Sequence, residues 1–317
     1  MRSYSLIAPA KINLYLEIIG DRPDGYHELV MVLQSINLVD QIEINSIEID
    51  AISVRCDHPD VPEDRSNLAY KAAALMAERF PDMIAQYGGI DIRIQKNIPV
   101  AAGLAGGSSN AAAVIVGLDL LWQLGLTQSE LKILGAEIGS DVPFCIEGGT
   151  SLATGRGEVL SPLNNLEDLY VVLAKYRDLA ISTPWAYKTY RKQFGHTYVS
   201  GDQDLQSRRE RVHSGPIVSA VMHEDYQQVS QLLHNDLEKV ALPEHPQIEK
   251  LRQALAEQPE VLGAMMSGSG PTVFALVKSQ AQAQQVRKTI QTQIPDENLD
   301  IWVAKFLSHG VSLVSRP

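Results

Sequence analysis

The segment Pro99-Val100-Ala101-Ala102-Gly103-Leu104-Ala105-Gly106-Gly107-Ser108-Ser109 runs directly into Asn110 and three alanines, so glycines and two serines precede a run of small helix formers. That order suits a phosphate cradle. Glycine at 103, 106 and 107 lets a backbone adopt φ > 0 and approach an anion, and the hydroxyls of Ser108 and Ser109 add donors. A helix starting near Asn110 would aim its unpaired N–H groups and positive dipole end at bound phosphates. Glycine-rich turns also serve plain helix initiation, and the glycines alone leave both readings open. No G-x-x-x-x-G-K-[ST] run occurs, so a Walker loop is excluded and positive charge has to come from elsewhere.

Such a loop needs strands and helices to hold it. Leu14, Leu16 and Ile18 alternate with Tyr15 and Glu17, predicting a strand that ends at the turn cluster 20–25, and further strand-like runs stand at 41–44, 51–56 and 90–94. Helices are predicted over 67–79, stopped before Pro81, over 110–124, and from the capping box Thr127-Gln128-Ser129-Glu130 to about Gly139. The later half carries a strand at 170–174, helices at 218–225, 226–233, 246–258 and 280–294, and a small-residue turn at 263–272 leading into an apolar strand at 273–277. Between them, 193–215 is polar without an apolar period and reads as a long surface insertion or mobile loop. Its Arg208-Arg209-Glu210-Arg211 run reads as a solvated face. The pattern is α+β, and a length of 317 residues suggests two units, drawn here as 1–160 and 161–317.

Composition narrows the partners. A net charge of −11 argues against nucleic acid or an anionic membrane surface as a partner, so any phosphorylated ligand must be a small molecule met by local cations. Lys11, Asn13 and Glu17 interrupt the apolar N-terminal stretch, and no segment has the length of a membrane span. Two cysteines far apart, Cys56 and Cys145, suit a reducing, cytoplasmic setting and give no zinc spacing.

Three separated segments line up with one family: Ala8-Pro9-Ala10-Lys11-Ile12-Asn13-Leu14, the glycine loop, and Gly268-Ser269-Gly270-Pro271-Thr272. On them the chain resembles the GHMP small-molecule kinases, named for galactokinase, homoserine kinase, mevalonate kinase and phosphomevalonate kinase. Arg22-Pro23-Asp24-Gly25-Tyr26-His27, Lys96, Gly106-Gly107-Ser108-Ser109-Asn110 and Gly139-Ser140-Asp141-Val142-Pro143-Phe144 make it similar to the branch that uses a cytidine diphosphate-linked methylerythritol. The similarity spans nearly the whole chain outside 193–215. Ala101 and Ala102 depart from it, standing where glycines are common, as does Asn110, where aspartate is a frequent alternative.

The resemblance implies a two-lobed α+β fold, with a ribosomal protein S5 domain 2-like N-terminal lobe, a ferredoxin-like C-terminal lobe, and the active site between them. It implies a bacterial, cytoplasmic kinase of the non-mevalonate isoprenoid pathway, with ATP as donor, Mg²⁺ as cofactor and unassigned metal ligands. Asp141 is then the general base for an acceptor hydroxyl, and Lys11 the ammonium beside it that favours the charged carboxylate and stabilises the transferring phosphoryl group. The segment 99–109 would wrap the triphosphate, with Lys96 toward adenosine and Asn67 and Asn110 on adenosine or phosphate or, equally, as helix N-caps. Asn13, Tyr26, His27 and Tyr187 would take the acceptor, His27 reading the base edge and an aromatic ring stacking on cytosine. Trp185 competes with Tyr187 for that stacking. A homoserine or mevalonate kinase, or a kinase-like sensor without turnover, are the alternatives; retention of both Lys11 and Asp141 counts against the sensor.

Overall fold

Apolar alternation at the N-terminus extends much further than the run at 14–19, and a computed structural model, which describes residues 3–199, 201, 204, 205, 207, 208, 210 and 215–314, shows what it builds. Strands β1 (Ser3–Asp21) and β2 (His27–Ile47) pair antiparallel along nearly their whole length. Their register shifts between Pro9 and Ala10 and again between Asn13 and Tyr15. At the first shift Asn37 and Leu38 of β2 are passed over, and at the second Leu14 of β1, so the strand bends at each. The even-numbered residues accordingly enter three different clusters: Leu6 and Ala8 in one, Ala10, Ile12 and Leu14 in a second, Leu16 and Ile18 in a third. Lys11 and Asn13 lie between the two shifts and so point away from the core that buries Ile12 and Leu14.

The chain continues through β3 (Ile52–Cys56), α1 (Leu68–Arg79), α2 (Pro81–Tyr87), β4 (Gly89–Gln95), α3 (Gly106–Trp122), α4 (Gln128–Ile138) and α5 (Val142–Glu147). Strands β5 (Thr150–Gly155), β6 (Val159–Pro162) and β7 (Tyr170–Tyr176) follow, then α6 (Thr183–Phe194), α7 (Pro216–Met222), α8 (Tyr226–Gln231) and the short β8 (His234–Asn235). The chain ends in α9 (Glu238–Glu244), α10 (Pro246–Ala256), β9 (Gly263–Met266), β10 (Val273–Val277), α11 (Gln280–Gln293), β11 (Leu299–Lys305) and β12 (Ser312–Leu313). One sheet runs β12-β1-β2-β4-β3, with β5 and then β6 added to β2 and β8 laid parallel to β1. The second runs β11-β7-β10-β9, all antiparallel.

Several predicted boundaries move, each for a local reason. The second predicted helix starts at Gly106 rather than near Asn110, because Ala105 takes the left-handed conformation (φ 57°) and turns the chain into α3. Pro81 does not only end a helix. It occupies the first turn of α2, where its missing N–H has no helical partner to lose. Residues 263–266 form an edge strand instead of part of a turn. The expected insertion begins inside an element, since 193–194 close α6 and 195–197 form a 3-10 turn. Of its arginine run, Arg208 is ion-paired with Glu17, while Arg209 and Arg211 lie outside the described residues. The capping box of α4 forms as expected, with Thr127 and Glu130 bonding reciprocally.

Strand β8 straps the site region together. Asn235 donates to the carbonyls of Met266 and Gly268, both at 2.8 Å, and Asp236 accepts from the Ile18 N–H at 2.8 Å. Burial alone would raise the Asp236 carboxyl, but hydrogen bonds from His234, Lys239 and Ile18 outweigh it and hold it at about 2. A depressed folded-state value means stability that is fully present above the ordinary value near 3.8 and lost as pH falls through about 2. Urea unfolding between these limits is expected to show wild type losing stability with acidification and Asp236→Asn losing less; parallel curves would contradict this role.

Candidate active site

Lys11 is the buried cation at the centre of the cleft, only 5% exposed. Its Nζ donates to Asn13 Oδ1 at 2.7 Å and stands 3.9 Å from Asp141 Oδ2. Asp141 occupies the N-cap position of α5, yet its side chain makes no capping hydrogen bond. The carboxylate is therefore left to face the cleft, with 32% of the side chain exposed. Asn13 in turn donates to Met31 Sδ at 3.3 Å, which fixes the amide that orients Lys11.

The glycine loop is held from two sides. The Lys11 N–H donates to the Leu104 carbonyl at 3.1 Å, and Ser267 Oγ donates to the Gly103 carbonyl at 3.1 Å. Gly103 sits at φ 75°, and a Cβ there would lie 2.3 Å from the Ser267 carbonyl oxygen. Gly103→Ala is thus expected to push the loop off the 267–270 turn and lower Tm; an unchanged Tm would contradict this packing. Gly106 and Gly107 work differently from expectation, as helical residues rather than φ > 0 positions. At Gly106 a Cβ would meet Lys96 Nζ at 2.8 Å, so this glycine serves close approach. The left-handed positions fall instead on Ala101 (φ 51°) and Ala105 (φ 57°). The first of these is one of the places where the family commonly has glycine, and glycine adopts this conformation without strain.

Behind the loop lies a group that motif reading missed. Asp40 is fully buried and accepts four hydrogen bonds, from Lys96 Nζ at 2.5 Å, Asn110 Nδ2 at 2.7 Å, and the N–H groups of Asn97 and Ile98 at 2.7 and 2.8 Å. Lys96 lines the cleft with its charge paired to Asp40, and Asn110 ties α3 to the same carboxylate. Ser109 also turns inward: it is buried and donates to the Pro9 carbonyl at 2.7 Å, leaving Ser108 as the loop serine lining the cleft. Asn67 caps α1 through the Ala69 N–H at 2.8 Å and donates to Pro62 at 2.6 Å, which places 60–62 beside the loop. Nothing in the residue types around Asp40 announces this hub, because its partners converge only once β2 has paired with β4 and α3 has packed against the sheet.

At the other end, His27 is 8% exposed and its ring lies 5.1 Å from that of Tyr187. Burial lowers the affinity of His27 for a proton, the Arg191 charge lowers it further, and Asp21 opposes both, so the ring is neutral at neutral pH. A neutral imidazole offers one donor and one acceptor, the pairing that a base edge needs. Burial and the Asp141 charge push the Tyr187 hydroxyl up, keeping it protonated. Trp185 is not among the residues lining the cleft and packs edge-on against His245 at 6.0 Å, whereas Tyr187 lines it. Tyr26 is 53% exposed, with the Arg156 guanidinium 4.9 Å from its ring centre. Arg156 and Lys188, both lining this end, were not singled out by sequence because isolated surface cations carry no spacing signal.

Loop, central pair and the end around His27 share one cleft of about 980 Å³. That is the upper end of the ~300–1,000 Å³ usual for small-molecule sites, and the lining divides into a loop-bound half and an aromatic half. Among the described residues no group of three or more His, Cys, Asp or Glu could hold a metal, and no helix is long and apolar enough to cross a membrane.

Comparison with known proteins identifies the family. Residues 67–149 match the GHMP kinases N terminal domain and residues 217–296 the GHMP kinases C terminal domain. The crystal structure of a 4-(cytidine 5'-diphospho)-2C-methyl-D-erythritol kinase superposes with a TM-score of 0.72 at 28% identity, covering 95% of this chain and 98% of that one. A homoserine kinase from Cytophaga hutchinsonii shares the fold, with a TM-score of 0.76 at 18% identity over 99% and 98% of the two chains. The expected two-lobed α+β kinase fold is therefore the fold of this chain. The 4-diphosphocytidyl-2-C-methyl-D-erythritol kinase of Trichodesmium erythraeum is 65% identical over 99% of both chains, and that of Nostoc punctiforme 62% identical over 99% of both. Identity at that level along the full length places this chain in the 4-diphosphocytidyl-2-C-methyl-D-erythritol kinase family of the GHMP kinases.

Proposed function

We infer that the cleft carries the γ-phosphoryl group of ATP to the 2-hydroxyl of 4-diphosphocytidyl-2-C-methyl-D-erythritol, yielding the 2-phosphate and ADP, a step in making isoprenoid precursors. The observation that carries this reading is the Asp141 carboxylate, released from capping and 3.9 Å from buried Lys11 where the two halves of the cleft meet. Asp141 accepts the proton of the 2-hydroxyl as its oxygen bonds to phosphorus. The bond from the γ-phosphorus to the bridging oxygen breaks, and its electron pair leaves with ADP. The Lys11 ammonium faces the equatorial oxygens, where its charge counts for more than in water because the group is buried. The N–H groups at the start of α3 and along 103–108 cradle the donor phosphates, while the 60–62 segment flanks its adenosine. His27 reads the cytosine edge and Tyr187 offers its stacking face.

Mg²⁺ fits this site as an ion carried in on ATP, because the described residues supply no cage of their own and such ions take most ligands from phosphates and water. Ser108 is the cleft hydroxyl that would complete its shell, and the ion would neutralise charge between β- and γ-phosphates. We read 1–160 as the donor lobe and 161–317 as the lobe that closes the cleft, in a cytoplasmic bacterial enzyme acting on small molecules. Coupled ADP release with three acceptors tests the assignment. Turnover with the cytidylated acceptor alone is expected, turnover confined to homoserine or mevalonate would overturn it, and binding without turnover would favour a sensor.

A further inference from the structure

The polar segment that the phosphoryl transfer leaves without a role returns to the acceptor end of the cleft. Tyr198 meets His27 edge-on, with ring centres 6.0 Å apart and planes at 88°, on top of the tilted contact that Tyr187 makes. The imidazole is thus flanked by two rings. Tyr198 is itself stacked on Tyr190 of α6 at 6.3 Å.

The surrounding segment is fastened to β1 at three successive points. The Val199 N–H donates to the Ile19 carbonyl at 2.9 Å, Leu205 Cδ2 fills the space 3.1 Å from where a Gly20 Cβ would stand, and Arg208 Nε donates to Glu17 at 3.1 Å. These anchors sit just before Asp21, the register partner of His27 at the start of β2. They therefore hold the strand edge from which His27 projects.

A ring needs such support here. His27 Nε2 is buried and makes no hydrogen bond among the described residues, with the nearest carboxylate, Asp21 Oδ1, 3.8 Å away, so the flanking rings do most to set the rotation of a side-chain torsion that is intrinsically broad. We propose that Tyr198 is a positioning residue for the acceptor, holding the His27 imidazole in the plane that meets the base edge, with the segment around it acting as the clamp that docks on β1. The proposal deepens the functional reading above and rests on it. The Tyr198 hydroxyl is buried without a hydrogen-bond partner among the described residues, so the ring and not the hydroxyl does the holding.

Steady-state kinetics on the full chain with ATP and the cytidylated acceptor separate these points. Tyr198→Ala is expected to raise the acceptor KM about tenfold while the ATP KM stays within about twofold, and Tyr198→Phe to behave as wild type. NMR titration of His27, whose ring faces Asp21, Arg191, Tyr187 and Tyr198, should show its pKa rising in Tyr198→Ala as burial is relieved, and unchanged in Tyr198→Phe. Arg208→Met, which loosens the clamp without touching the ring, should move the acceptor KM the same way by a few-fold and serves alone if Tyr198→Ala does not fold. An unchanged acceptor KM in Tyr198→Ala, or both KM values rising together, would overturn the proposal. Failure of the unmutated chain to turn over this acceptor would instead overturn the functional reading, and this one with it.

Discussion

Asp141→Asn is expected to lower kcat by on the order of 10²–10⁴-fold while leaving ATP affinity and Tm close to wild type. The size follows from removing a proton acceptor at the reacting oxygen while keeping shape and hydrogen-bonding capacity. The selectivity follows from geometry. Asp141 makes no capping bond to α5, so the helix loses nothing by the substitution, and Lys11 keeps Asn13 as its hydrogen-bond partner at 2.7 Å. Single-turnover rates with both substrates bound, alongside calorimetric ATP binding and a thermal melt, test the three parts separately. A kcat within about threefold of wild type would mean that another group takes the proton.

The largest effect on stability belongs to Asp40→Ala. This variant strands the buried Lys96 ammonium and three further donors at once, and breaking a buried pair from one side costs about 3–5 kcal/mol. Lys96→Met in the same chain should recover part of that loss, since it removes the uncompensated charge while the N–H groups of Asn97 and Ile98 remain unmet. Urea unfolding of wild type, single and double variants checks the order. A loss below about 1 kcal/mol in Asp40→Ala would show that the pair is not what holds the loop base. ATP binding should weaken in parallel, because Asp40 fixes both the approach to the loop through 97–98 and the helix behind it through Asn110.

What the sequence made legible was whatever depends on near neighbours. Asn67 and Thr127 were readable as helix starts because an N-cap acts over two or three residues, and both cap as expected. The loop at 99–109 was readable because small residues ahead of a helix former have few other uses. Its inner working was not, since Ser109 turns to Pro9 and Gly106 to Lys96 only once β1 and β4 have brought those partners alongside. Asp40 was invisible for the same reason: a lone aspartate in a strand reads as solvated until four donors from two other segments converge on it. The insertion was misjudged in a different way. Its polarity was real, but Tyr198 and Leu205 are two apolar footholds too widely spaced to register as a period, and they dock on the paired strands β1 and β2, which precede them by more than the length of the first lobe.

The seating of Gly103 against Ser267 also sets an order of events during synthesis. The bond between them spans 164 residues, so a chain still emerging from the ribosome displays its complete glycine loop long before the turn that braces it exists. Contacts of that separation form late, because a long stretch of chain must be ordered to close them. Nascent chains cut off ahead of residue 267 should therefore fail to retain nucleotide even with the entire loop in hand, and competence to bind ATP should appear abruptly once synthesis has passed the 267–270 turn.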